Sequence, residues 1–139
     1  MRRPSRLGLL LAATLALALA LAACGSGSGL TGKTWQWTAS TTKTPASQSV
    51  VPDPQNYTIE FKSDGTFAAK ADCNQVSGAY TTTSSGGITI TPGPTTLAVC
   101  GANSAGDLYV TGLRAAQTYK VDGGTLTLTL VADATMTFK

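Results

Sequence analysis

The 139-residue sequence contains no histidine, and only 12% of its residues are charged and 6% aromatic. Without histidine, neither a Ser-His-Asp nor a Cys-His catalytic arrangement can form, and the commonest metal ligand is missing. The three cysteines include no CxxC pair, so a thioredoxin-like redox site or a zinc knuckle lacks its usual spacing. The Gly-rich stretch Ser84-Ser85-Gly86-Gly87 has no lysine after it and therefore does not read as a phosphate-binding loop. Gly-x-Ser-x-Gly does not occur. Long apolar runs are absent except for one, near the N-terminus.

That run follows a basic start. Arg2, Arg3 and Arg6 precede an apolar stretch from Leu7 to Leu21, then Leu21-Ala22-Ala23-Cys24 and Gly25-Ser26-Gly27-Ser28-Gly29. A membrane span needs about 20 apolar residues, and this core has roughly 15, the length of a signal peptide. Small residues before a cleavage point suit a peptidase that draws an extended chain past shallow pockets. The cysteine directly after them resembles the lipobox of bacterial lipoproteins, in which the thiol takes a diacylglycerol before cleavage. Residues 1–23 are therefore read as a lipoprotein signal peptide, Cys24 as the lipidation site, and residues 24–29 as a flexible Gly/Ser tether. The Arg2-Arg3 pair alone hints at twin-arginine export; the rest of that motif is absent.

Removing 23 residues from 139 leaves 116, one domain by size, with roughly two thirds of its unfolded surface available for burial. The formal charge of +3 is a property of the precursor. Once Arg2, Arg3 and Arg6 leave, seven basic residues face seven acidic ones. A near-neutral domain has no electrostatic footprint for nucleic acid, and its membrane attachment must come from the lipid. Cys73 and Cys100 remain as an even pair in an oxidising compartment, which implies a disulfide; a metal or redox site is the poorer alternative.

The rest reads as short strands and turns. Trp35 and Trp37 alternate with Gln36 and Thr38, and the proline-bearing stretch from Thr41 to Pro54 reads as a loop. Tyr57, Ile59 and Phe61 share a face, and Ser63-Asp64-Gly65 turns the chain into a returning strand, Thr66 to Ala71. Val76 to Thr83 and Gly87 to Thr91 form a second pair, ended by Pro92-Gly93-Pro94. Ser104 to Gln117 reads as a helix, with Leu108, Leu113 and Ala116 inward, Ser104 or Asn103 as N-cap and Asp107 in the first turn. Tyr119 and Val121, then Leu126, Leu128 and Leu130, then Met136 and Phe138 complete three further strands. The expected fold is α+β and mainly antiparallel β: a single small domain, a curled sheet or partial barrel, with one helix near Ser104–Gln117.

In this order the elements resemble a META (HslJ-like) domain over roughly residues 30 to 139. The resemblance is carried by Trp35-Gln36-Trp37, Phe61-x-x-Asp64-Gly65, Cys73-Asn74-x-x-x-Gly78-x-Tyr80, Thr96-x-x-x-Cys100, Tyr119, Leu126-x-Leu128 and Met136-x-Phe138. Two positions depart from the pattern: Asp72, where a small residue, commonly glycine, is usual, and Ala98, where methionine is usual. Physical roles account for most of the motif. Asp64 and Gly65 make a turn, Gly78 marks a bulge or close backbone approach, and Asn74 bonds neighbouring backbone to hold the turn after Cys73. Tyr80, Trp35 and Trp37 supply buried area with a polar handle.

The resemblance implies a non-catalytic cell-envelope lipoprotein, associated with envelope stress and integrity and in some relatives with motility or antibiotic tolerance. It implies no cofactor and no reaction. The expected partner is an envelope protein met by a monomer anchored at the cell or outer membrane; the alternative is a carrier or sensor of a small apolar ligand inside the curled sheet. A cavity would favour the carrier and a filled interior would favour docking.

Overall fold

The computed structural model describes residues 29–139; the expected signal peptide, Cys24 and the expected tether up to Ser28 lie outside them. Nine strands and one helix follow in order: β1 Thr34–Lys43, β2 Ala46–Val50, β3 Tyr57–Phe61, β4 Thr66–Ala71, β5 Asn74–Thr82, β6 Ile88–Thr95, α1 Gly106–Arg114, β7 Ala116–Asp122, β8 Thr125–Leu130 and β9 Thr135–Phe138. Short 3-10 turns lie at Pro54–Asn56 and Val131–Asp133. All strands join one antiparallel sheet, ordered β6-β5-β4-β3-β1-β9-β8-β7, with β2 paired to β1. The sheet curls until its edge strands meet at a single Gly87–Thr118 bridge, where the Tyr119 amide donates to the Gly86 carbonyl at 2.9 Å. This is the mostly antiparallel, curled single domain that the alternation predicts.

Alternation builds the core. Tyr57, Ile59 and Phe61 of β3 face inward with Phe67, Ala69 and Ala71 of β4, Leu126 and Leu128 of β8, and Met136 and Phe138 of β9. Two-residue periodicity sends Thr58 and Glu60 to the other face. Trp35 and Trp37, two apart on β1, are both buried.

The register defines two poles. Pairs such as Phe61–Phe67, Thr82–Ile88 and Asp122–Thr125 put the β3–β4, β5–β6 and β7–β8 turns at one end of the sheet. The start of the described chain joins them there: Trp35 Nε1 donates to the Leu30 carbonyl at 2.8 Å, and Thr31 bridges Phe61. The opposite pole carries the β1–β2 hairpin, the Asp72-Cys73 turn, the β6–α1 segment and the β8–β9 turn.

Three expectations need correction. Thr41 to Pro54 is not simply a loop, because β1 continues to Lys43 and turns into β2. Every residue of β2 is exposed, so no face needed apolar residues, and the strand has no alternation to read. Pro92-Gly93-Pro94 does not end the second pair; β6 runs to Thr95. Prolines are tolerated there because β6 is an edge strand, and its register against β5 shifts between Val76 and Gly78. The helix is shorter than expected, and Ala116 already belongs to β7. Its buried face is Gly106, Tyr109, Gly112 and Leu113, while Leu108 points outward, 65% exposed. Ala105, rather than Ser104 or Asn103, occupies the N-cap, and its amide donates to Tyr57 Oη at 2.9 Å.

The helix glycines have packing reasons. A Cβ on Gly106 would sit 3.1 Å from the Ala71 carbonyl oxygen, and one on Gly112 only 2.5 Å from Met136 Sδ. The helix can lie this close only without those side chains. Tyr109 then reaches the aromatic centre, with ring centroids 5.4 Å from Trp37 and 5.8 Å from Tyr57.

The Tyr109 hydroxyl has no hydrogen-bond partner among the described residues, and burial pushes its pKa well above the ordinary 10.0. Tyr109→Phe is therefore expected to stabilise the fold, by about 1 kcal/mol, because it removes a desolvated hydroxyl and keeps the ring. A raised folded-state pKa contributes stability that is complete below the unfolded value and is lost as pH rises past it. The wild-type chain should thus weaken above about pH 10, and Tyr109→Phe should lose less. Urea midpoints at pH 7 and pH 11 check both; a destabilised variant at pH 7 would refute the first.

Candidate functional site

The pole opposite the N-terminal end is built around the Cys73–Cys100 disulfide, whose Cα atoms are 5.6 Å apart. Cys73 follows Asp72, which has a φ of 60°, the left-handed conformation that glycine adopts most easily. That explains the small residue usual at this position; aspartate is among the few others that tolerate it. The Asp72 amide donates to the Asn56 carbonyl at 2.7 Å.

Residues 96–105 have no regular secondary structure, yet side chains pin the first of them in place. Thr96 Oγ1 accepts from the Gln75 amide at 2.9 Å and donates to Asn74 Oδ1 at 2.9 Å. Asn74 then acts as a substitute strand. Its Oδ1 accepts from the Ala98 amide at 2.8 Å and its Nδ2 donates to the Ala98 carbonyl at 3.0 Å. Asn74 was expected to hold the turn after Cys73; it holds the distant segment instead. Position 98 is recognised through its backbone, so alanine serves where methionine is usual.

Thr96, Ala98 and Cys100 are tied to the fold by these bonds and the disulfide, while the side chains between them make no such tie. Leu97 is 92% exposed and Val99 100%. Beside them a cleft of about 340 Å³ runs between this segment and α1, lined among others by Asn74, Ala98, Val99, Cys100, Asp107 and Val110. A second, of about 440 Å³, separates Pro52 and Asp53 from Ala102 and Asn103. Both are open to solvent. Asp53, Asp72 and Asp107 lie around the segment, and among the described residues none of the three is in a salt bridge.

The other motif residues serve separate places. Trp35 and Trp37 fill the core, with Trp37 Nε1 donating to the Ala39 carbonyl at 3.0 Å. Asp64 closes its turn by accepting from the Thr66 hydroxyl at 2.6 Å and amide at 2.9 Å. The hydroxyl bond is the chief reason its pKa is lowered. Gly65 has a φ of 82°. At Gly78 a Cβ would collide with the Thr91 carbonyl oxygen and lie 2.7 Å from Phe67 Cε1, so the expected close approach is present. Tyr80 is partly buried against the core; its Oη donates to the Lys62 carbonyl at 2.7 Å, and burial raises its pKa. Two groups converge: Asn74 with Cys73 and Cys100, and Tyr80 with the Asp64-Gly65 turn, where its amide donates to the Gly65 carbonyl at 2.8 Å. Leu97, Val99 and Tyr109 are not among the residues the sequence singles out; residues 96–105 form no strand, so alternation of residue types there marks no face.

The interior is filled by side chains, with Trp35, Tyr109, Phe61, Phe67 and Phe138 among the largest fully buried. The carboxylates are dispersed: Asp133 pairs with Lys43 and Asp122 with Lys120, each at 3.3 Å on the surface.

Two solved structures share the fold. One is a DUF4847 family protein from Bacteroides vulgatus ATCC 8482, 16% identical, with a TM-score of 0.61 over 78% of this chain and 92% of that one. The other is a protein from Burkholderia xenovorans, 20% identical, with a TM-score of 0.64 over 79% and 82%. No curated protein matches the sequence. The model of the META domain matches residues 28–139, the whole of the described domain. Through that match, and the tryptophan, Asp-Gly and Cys-Asn positions just located, the chain belongs to the META domain family.

Proposed function

We propose that this chain is a non-catalytic, HslJ-like lipoprotein of the bacterial envelope, anchored outside the cytoplasm by lipid on Cys24, that docks on an envelope protein. The observation that carries the reading is the Leu97–Val99 pair. Two branched aliphatic side chains stand free in water on a segment that a disulfide and Asn74 hold still. A preordered apolar contact loses little entropy on binding. The exposed acids nearby favour a partner that brings basic residues around an apolar patch.

The filled interior supports docking over the carrier reading, which needs a cavity for its ligand. The lack of histidine and the scattered carboxylates support a non-catalytic role.

Two measurements test this. Cys24→Ala should leave an unprocessed precursor that is no longer lipid-modified; a variant still cleaved and still lipid-modified would remove the anchor. A photo-crosslinking residue at position 97 or 99 should capture a discrete partner in living cells, and one at the exposed Thr89 should not. Leu97→Asp with Val99→Asp should abolish binding to that partner while moving stability by no more than about 0.5 kcal/mol. Equal capture from position 89 would defeat the docking surface.

A further inference from the structure

We infer that the pole opposite the disulfide is a membrane-facing surface. It rests on anionic phospholipid headgroups and turns Leu97 and Val99 away from the bilayer. The inference rests on the lipid anchor proposed above and adds which way the domain stands.

The first support is the length of chain between the anchor and the fold. Leu30 is buried, 1% exposed, and its carbonyl is held by the Trp35 indole. Six peptide steps therefore separate Cys24 from a fixed point of the domain, a reach of about 20 Å at full extension. Gly29 already lies beside Val121, within 3.2 Å of its Cγ1 for a built Cβ. The attachment thus leaves the fold among the β3–β4, β5–β6 and β7–β8 turns. A leash shorter than a small domain's width keeps that pole nearer the bilayer than the other.

Charge supplies the second support. Of the seven basic residues after Cys24, four belong to this pole: Lys33, Lys62, Lys120 and Lys139. All four are exposed. The acidic residues on this side are Glu60, Asp64 and Asp122. Asp122 is paired with Lys120, which leaves Lys33, Lys62 and Lys139 against Glu60 and Asp64. At the far pole the balance reverses. Asp53, Asp72, Asp107 and Asp133 lie there against three cations, Lys43, Lys70 and Arg114; Lys43 is paired with Asp133 and Lys70 donates to Asn56 Oδ1 at 2.8 Å. The field therefore runs from a positive, tethered end to a negative, free end. Near an anionic leaflet, lysines are drawn in and carboxylates pushed away. Charge and leash thus favour the same orientation.

Docking and membrane contact are kept apart by this arrangement. Exposed aliphatic residues at the tethered pole would partition into the bilayer; at the far pole they are left for a protein.

The test uses the oxidised chain from Cys24 onward, which contains the whole described core, coupled through the Cys24 thiol to a maleimide lipid in vesicles. Chemical coupling makes the outcome independent of whether cells lipidate Cys24, which the Cys24→Ala experiment decides separately. A donor fluorophore is placed at Ser63 or at Val99 in turn, with an acceptor on the lipid headgroups. With phosphatidylglycerol in the vesicles, transfer from position 63 should exceed that from position 99 severalfold. The contrast should shrink in purely phosphatidylcholine vesicles, in 0.5 M salt, and in a Lys33→Gln, Lys62→Gln, Lys139→Gln variant. Equal transfer from the two positions, or greater transfer from 99, would overturn the orientation. A contrast indifferent to lipid charge and to the lysine variant would overturn the headgroup contact.

Discussion

Trp35→Ala should lower the unfolding free energy by about 4 kcal/mol, a large part of the 5–15 kcal/mol typical of a small domain. Trp35 is 0% exposed, so truncation opens a cavity in a core that closes only partly around it. A second loss comes with the first. The indole N–H is the donor that holds the Leu30 carbonyl at 2.8 Å, and its removal leaves a buried acceptor without its partner. Residues 30–33 should then detach, taking with them the Thr31–Phe61 bridge. Trp35→Phe separates the effects by keeping most of the volume and losing the donor. Urea unfolding of both variants, with amide exchange at residues 30–33, checks the argument. A loss under 1 kcal/mol for Trp35→Ala would show that the core repacks, contrary to this account.

Removal of the disulfide by Cys73→Ser and Cys100→Ser should cost about 3.5 kcal/mol. The sequence separation is 27 residues, and the cost follows from the loop entropy that the unfolded chain regains. The native segment should change less than that figure suggests. Asn74 bonds both the amide and the carbonyl of Ala98, and Gln75 and Thr96 bond each other. Consequently the denaturation midpoint should fall sharply while the chemical shifts of Leu97 and Val99 stay close to those of the oxidised protein. Adding Asn74→Ala should then release the segment. Collapse of the native shifts in the cysteine variant alone would mean that the bridge, rather than Asn74, orders the loop.

How much was legible in the sequence varied with burial. β3, β4, β8 and β9 each pack one face on the core, so their apolar residues alternate and the strands can be read directly. β2 buries nothing; its pairing with β1 depends on backbone bonds and on contacts such as Thr42 Oγ1 with Ser47 Oγ at 2.8 Å. Such bonds need a partner strand to exist, and residue types along β2 do not record them. The helix was misread at its inner face for a related reason. Leu108 looks like a core residue by type, whereas Gly106 and Gly112 look like weaknesses. Only the closeness of Ala71 and Met136 makes the glycines the buried side and leaves Leu108 in water.

Local chemistry in the sequence determined the strand-rich class, the Asp64-Gly65 turn, the tight place at Gly78, the pairing of Cys73 with Cys100 and the family to which they belong. Each depends on neighbours within a few residues, on a two-residue period, or on there being only two cysteines in the domain. The tertiary structure alone decided that Asn74 grips Ala98, that Leu97 and Val99 are left exposed, and that this segment lies at the pole opposite Leu30. Those are relations between residues far apart in the chain. They are set by how strands register and how the sheet curls, and no local preference encodes them.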